Sequence, residues 1–144
     1  MRVFISYYYN RDNEIAKQIY DIVNRDCFNQ FTVIMEEQKK DGDNEIKRWV
    51  DKQLESAKIT ILLISNDTLE REYVSYELEK SIQNKNAIIP ILIDDNINNY
   101  KTEQLKLIRR KLKTLGIGKN VVIKKWYAEK GVENIVTWIY EAYS

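Results

Sequence analysis

Hydrophobic positions in this chain fall into short runs, and each run is followed by a stripe at helical spacing. The first run is residues 3–6, and it gives way to Tyr7, Tyr8 and Tyr9. Ile15, Ile19, Ile22 and Val23 then recur three and four apart, which predicts an amphipathic helix capped by Asn10 or Asp12. A second run, residues 31–35, leads into a polar loop, 36–44, containing Gly42. Ile46, Val50, Leu54 and Ala57 form the next stripe, with Asp43 a candidate cap. Residues 59–64 are almost continuously apolar, the mark of a strand covered on both faces. After Ser65, Asn66, Asp67 and Thr68, a third helix is expected to begin near 69–71 and to carry Val74, Leu78 and Ile82. A fourth strand is read at 87–93. It contains Pro90, whose missing N–H favours a place near a sheet edge or a bulge. Leu105, Ile108, Leu112 and Leu115 stripe a fourth helix that stops at Gly116. Residues 121–123 make a fifth strand, and Ile135, Val136, Ile139 and Tyr143 stripe the last helix.

Strand and helix in alternation imply parallel strands joined by right-handed crossovers. Five such units predict an α/β fold, a flavodoxin-like doubly wound five-stranded parallel sheet of order 2-1-3-4-5, with residues 1–144 as one domain. Ligands of such sheets bind outside the carboxyl ends of strands one and three, where the winding reverses. Residues 6–10 and 65–68 are expected there, and both segments are polar.

Composition narrows the chemistry. The chain has no histidine, which removes Ser-His-Asp and Cys-His catalysis and histidine metal sites. Acid–base work falls to carboxylates, lysines or tyrosines. Cys27 is the only cysteine, so no internal disulfide or zinc cluster is available. It reads as packing in a protein of the reducing cytosol, and the localisation expected is cytoplasmic. The strand pattern starts at once, leaving no room for a signal peptide, and no apolar stretch is long enough to span a bilayer. A net charge of +1 gives no pull toward nucleic acid or membrane. No glycine-rich dinucleotide fingerprint follows strand one, which argues against hydride transfer. Residues 116–120 read as a helix stop and a turn, not a phosphate loop. The acidic pairs Glu36-Glu37 and Asp94-Asp95 read as solvated loops, and no metal site is expected.

Glu77 is the candidate for chemistry. Tyr73 and Glu77 are four apart, so they share a helix face. The second turn of the third helix brings the carboxylate near the loop after strand three. There it could meet ribose hydroxyls or stabilise an oxocarbenium-like centre, because cleaving a glycosidic bond needs a carboxylate near the anomeric carbon. Taken alone, a helical glutamate is more often a solvated surface residue. Tyr7, Tyr8 and Tyr9 sit where a nicotinamide or adenine ring could stack, though tyrosines there can equally pack against helices. The loop 36–44 is long for a strand-to-helix connection and reads as a lid, a partner surface or a plain polar loop.

Several segments together carry a resemblance. They are Val-Phe-Ile-Ser at the start, Leu-Leu-Ile-Ser-Asn-Asp-Thr in the middle, Tyr-Val-Ser-Tyr-Glu-Leu-Glu-Lys-Ser-Ile after it, and Ala-Ile-Ile-Pro-Ile. In this order the chain resembles the bacterial TIR-like family, and more narrowly the TIR-like proteins of Thoeris-type antiphage defence. The most specific piece is the stretch from Tyr73 to Glu77. The resemblance implies a flavodoxin-like fold and cleavage of NAD+ at the nicotinamide–ribose bond. It implies a required glutamate on the third helix, which is Glu77 here. Ser6, Tyr7, Tyr8, Asn66, Thr68 and Tyr73 would line the substrate pocket. NAD+ would be the substrate, with no separate cofactor. A cyclised or modified ADP-ribose signal would act on an effector partner, and assembly into a homo-oligomer is common in the family. Where members usually carry tryptophan, this chain has Tyr73, which keeps an aromatic surface. Many TIR domains are non-catalytic adapters, so that alternative stays open. A phosphoacceptor receiver domain needs acids just after strand one, and none occurs before Asp12. A nucleoside deoxyribosyltransferase would also use a glutamate on a similar fold.

Overall fold

The computed structural model describes residues 1–27, 29–35, 43–65, 68–93, 102–117 and 121–143. Its strands are β1 (Arg2–Ser6), β2 (Thr32–Ile34), β3 (Ala57–Ile64), β4 (Ala87–Leu92) and β5 (Lys124–Lys125). Its helices are α1 (Tyr9–Cys27), α2 (Asp43–Ser56), α3 (Glu72–Gln83), α4 (Thr102–Thr114) and α5 (Gly131–Tyr143), with a 3₁₀ turn at Thr68–Glu70 before α3. The sheet order is β2-β1-β3-β4-β5 and every pairing is parallel, as the alternation predicts. The winding reverses between β1 and β3.

Strand pleating divides the core. Val3, Ile5, Ile59, Ile61 and Leu63 point to one face and pack with Ile15, Ile19 and Val23 of α1 and Ile135, Trp138 and Ile139 of α5. Phe4, Leu62 and Ile64 point to the other. There Phe4 meets Val50 and Leu54 of α2, while Leu62 and Ile64 meet Val74 and Leu78 of α3 and Leu112 of α4. Cys27 is buried in the first of these clusters, as packing. Among the described residues, no helix is long and apolar enough to cross a membrane.

One local expectation holds and two change. Pro90 lies in β4, which has neighbours on both sides, yet its place is locally an edge. Leu92 O accepts from Trp126 N–H at 2.8 Å, and Ile93 N–H reaches Ile64 O at 2.9 Å. Even-numbered residues of β4 therefore face β5, where pairing begins only at Ile91 and Leu92. The absent N–H of Pro90 costs no ladder bond. The fifth strand is Lys124–Lys125, not residues 121–123. Ile123 is buried with the α4 cluster while Val122 is 59% exposed, so the apolar signal there records helix packing. Finally, α1 starts at Tyr9, which places Asp12 inside its first turn. Asp12 N–H bonds Tyr8 O at 2.8 Å, and its carboxylate does other work. Of the loop read at 36–44, residues 36–42 lie outside the described residues, and α2 begins at Asp43.

Candidate functional site

The crevice at the β1–β3 reversal is held by a polar clamp. Ser65 Oγ donates to Asp12 Oδ2 at 2.7 Å, joining the end of β3 to the start of α1. Thr68 Oγ1 accepts from Ser65 N–H at 2.9 Å and lies 3.0 Å from Ser65 Oγ. Thr68 is fully buried, so its hydroxyl serves this turn. Asp12 is also buried. A buried carboxylate must be hydrogen-bonded, and here the bonds fix the loop that leads to α3.

The helix α3 carries the main chemical feature. Its buried residues are Val74, Glu77, Leu78 and Ser81, spaced i, i+3, i+4 and i+7. That is the core-facing stripe of an amphipathic helix. Glu77 thus occupies a position that packing alone would give to an aliphatic side chain, and it is only 6% exposed. The solvated-surface reading of this glutamate does not hold.

Beneath it runs a directional hydrogen-bond chain. Ser81 donates its hydroxyl proton to Glu77 C=O at 2.7 Å. With that proton used, Ser81 Oγ accepts from Thr60 Oγ1 of β3 at 2.8 Å. Thr60 Oγ1 in turn accepts from Asn86 Nδ2 at 3.3 Å. Thr60 and Ser81 are fully buried. The chain pins the turn bearing Glu77 to the centre of the sheet. Ser6 lies on the same side, since Phe4 and Ser6 alternate with Val3 and Ile5. Its hydroxyl is buried with no hydrogen-bond partner among the described residues.

The tyrosines separate. Tyr7 turns into the α1 face and joins its core, with its hydroxyl 3.5 Å from Asn13 Oδ1. Pleating puts Tyr7 and Ser6 on opposite sides, so the two do not share a pocket wall. Tyr8 is half-buried, and the Arg71 guanidinium stacks on its ring at 3.9 Å. Arg71 is the residue just before α3, with extended backbone. Tyr73 is half-buried against the Phe4, Val50 and Leu54 cluster, beside Trp49 and Tyr76. Tyr76 donates to Asp51 Oδ1 at 2.6 Å, bridging α3 to α2. Burial, then the hydrogen bond to Asp51 and the charges of Asp51 and Glu79, push its phenol up to about 12.

The structure thus gathers Ser6, Tyr73 and Glu77 on the α2–α3 side, with Tyr8 and Thr68 at the end of the sheet and Tyr7 in the opposite core. Asn66 lies outside the described residues, as do Asp67, Asp94, Asp95 and residues 118–120, and the side chains of Tyr9 and Asn10 are likewise outside them. Two residues escaped the sequence reading as site elements, Asp12 and Arg71. Asp12 meets Ser65 across 53 positions and no local pattern marks the pair. Arg71 had one available signal, its place at the start of a helix that follows the crevice loop.

Three comparisons bear on this geometry. The sequence model described as "Thoeris protein ThsB, TIR-like domain" matches residues 4–98. "Putative cyclic ADP-D-ribose synthase ThsB1" of Bacillus cereus (strain MSX-D12) is 32% identical over 111 residues, covering 71% of this chain. The match spans 58% of that relative's length. Among solved structures, the TIR domains of the activated Roq1 resistosome recognizing the pathogen effector XopQ superpose with a TM-score of 0.65. That superposition covers 96% of this chain and 98% of theirs at 12% identity, a likeness of fold. The family match covers more than half of the chain and includes both the crevice and Glu77, and the chain belongs to the Thoeris ThsB family of TIR-like domains.

Proposed function

We propose that this chain cleaves NAD+ at the bond between nicotinamide and ribose and releases a cyclised or otherwise modified ADP-ribose as a defence signal. The observation that carries the reading is Glu77, a carboxylate in the core stripe of α3 at the sheet's reversal point. Buried carboxylates are costly, and such costs cluster at working sites. In the reaction, nicotinamide leaves with the bonding electron pair as a neutral molecule. The anomeric carbon becomes electron-poor, and Glu77 stabilises that charge or holds the ribose hydroxyls. Water then adds and loses a proton, giving ADP-ribose, or a nucleophilic atom of the same molecule closes a ring and loses one. The name of the Bacillus relative, a cyclic ADP-D-ribose synthase, supports ring closure.

Ser6, Tyr8, Asn66, Thr68 and Tyr73 complete the pocket in this reading, with Tyr7 supporting it from the core. NAD+ is the substrate, and no cofactor or metal takes part. The partner is an effector reached through the released nucleotide in the cytoplasm, not nucleic acid or membrane. Homo-oligomerisation accords with the resistosome assembly named for the TIR structural neighbour.

The test is nicotinamide release from NAD+ by wild type and Glu77→Ala, with products resolved by mass. Loss of about a hundredfold or more in the variant is expected, the scale for removing a preorganised charge stabiliser. Full turnover in Glu77→Ala overturns the assignment. A second reading, a non-catalytic adapter, draws on the tyrosines: Arg71 covers one face of Tyr8 and Tyr7 is in the core, which leaves less ring surface for a ligand to stack on. A concentration-dependent oligomer without NAD+ binding favours the adapter. A rise in melting temperature with NAD+ counts against it.

A further inference from the structure

The helix α4 ends in a turn that builds a second concavity. Gly116 has φ +92°, a left-handed conformation that glycine adopts without penalty. Ile117 N–H bonds Leu112 O at 3.0 Å and Gly116 N–H bonds Lys113 O at 3.0 Å. These are the two bonds of a Schellman stop, and the apolar pair that accompanies such stops is Leu112 with Ile117. Both are buried in the α4 cluster. Beyond the turn, Val121 lies beside the helix. Between them lies a cavity of about 460 Å³, lined by Lys106, Arg109, Arg110, Lys113, Leu112, Ile117 and Val121.

The cations are the unusual part. Lys106, Arg109, Arg110 and Lys113 are spaced i, i+3, i+4 and i+7, one face of a helix, and all four are exposed. Like charges at this spacing repel. Among the described residues that line the cavity there is no carboxylate. The chain as a whole carries only +1, so the excess is local. The helix dipole accounts for Lys113 in the last turn, but not for Lys106, Arg109 and Arg110 farther back. Guanidinium forks suit phosphate oxygens, and an apolar floor of Leu112, Ile117 and Val121 suits a flat ring. The volume falls within that of small-molecule sites, ~300–1,000 Å³.

We propose that this groove binds a nucleoside di- or triphosphate, with the phosphates on Arg109, Arg110, Lys106 and Lys113 and the base over Leu112 and Ile117. The site is separate from Glu77 and does not depend on the NAD+ reading. None of its cations belongs to the proposed reaction.

The test is calorimetric titration of the full chain with ATP, with tripolyphosphate and with adenosine, at low and at physiological salt. The double variant Arg109→Ala, Arg110→Ala is expected to weaken ATP binding at least about tenfold, since charge-assisted hydrogen bonds are the strong ones. The double variant Arg109→Lys, Arg110→Lys retains charge and is expected to bind ATP between the two. Glu77→Gln should bind ATP as wild type does. Three results each overturn the proposal. One is tripolyphosphate binding as tightly as ATP, which leaves a bare anion patch. Another is ATP binding that vanishes at physiological salt, which marks a screened surface effect. The third is ATP binding lost in Glu77→Gln and kept in both double variants, which assigns the nucleotide to the crevice.

Discussion

On the α1–α5 side of the sheet, Val3, Ile5, Ile61, Ile91 and Trp138 form one continuous apolar layer. On the α2–α3 side, the apolar residues split into two smaller clusters, one around Phe4 and Leu54 and the other around Leu62 and Leu78. The polar residues Ser6, Thr60, Ser81 and Glu77, all buried, are on that side. An apolar layer is the simpler way to stabilise a sheet, because each buried polar group must find a partner or lose free energy. One face therefore holds the fold, and the other gives up part of its packing to carry and orient a carboxylate. The difference shows that burial in this molecule has two purposes, and substitutions can separate them.

The largest effect is expected on the apolar face. Ile61 is fully buried there, and Ile61→Ala should lower unfolding stability by about 2–5 kcal/mol, read by denaturant unfolding. Nicotinamide release per folded molecule should stay near the wild-type rate. A specific loss of turnover would break the division between faces. On the polar side, Thr60→Val keeps the shape but strips the link between Asn86 and Ser81. It should cost about 1–3 kcal/mol, the range for an orphaned buried partner. It should also lower turnover per folded molecule, while Thr60→Ser restores both. Thr60→Val with unaltered turnover would show that the chain beneath α3 holds the helix without positioning Glu77.

The sequence made much of this legible and hid a defined part. Residues 59–64, apolar on both faces, announced the central strand, and the strand–helix alternation carried the sheet order. Glu77 could be placed in the second turn of α3, but not in its core stripe. Its neighbours in the sequence, Tyr76 and Glu79, suggest a surface helix, and only the sheet-facing Val74, Leu78 and Ser81 show the register. The three tyrosines looked like one cluster, although strand pleating sends Tyr7 and Ser6 to opposite sides. Asp12 looked like a helix cap because caps are local, whereas its partner Ser65 is 53 positions away. The fifth strand was misplaced because Ile123 is apolar for the sake of α4, not for the sheet.

The smallest expected effect sharpens the edge of the polar side. Tyr76 keeps its proton in the folded chain to about pH 12, against an ordinary 10.0. A raised folded-state value means that this stabilisation is complete below about pH 10 and is lost as pH rises toward 12. Tyr76→Phe removes the Asp51 bond and should cost under about 1 kcal/mol at neutral pH, as exposed pairs do. The gap in melting temperature between wild type and Tyr76→Phe should close between pH 10 and 12. A gap that holds constant would show that the hydroxyl contributes nothing through its proton.

The decisive experiment takes Glu77→Gln, which preserves shape and replaces the carboxyl group with an amide, and compares its rate of nicotinamide release per folded molecule with wild type. Near-complete loss of turnover is expected in a chain that still unfolds cooperatively. Wild-type turnover in a normally folded Glu77→Gln chain would contradict it, and would leave Glu77 as a buried polar residue of α3 with no part in the chemistry.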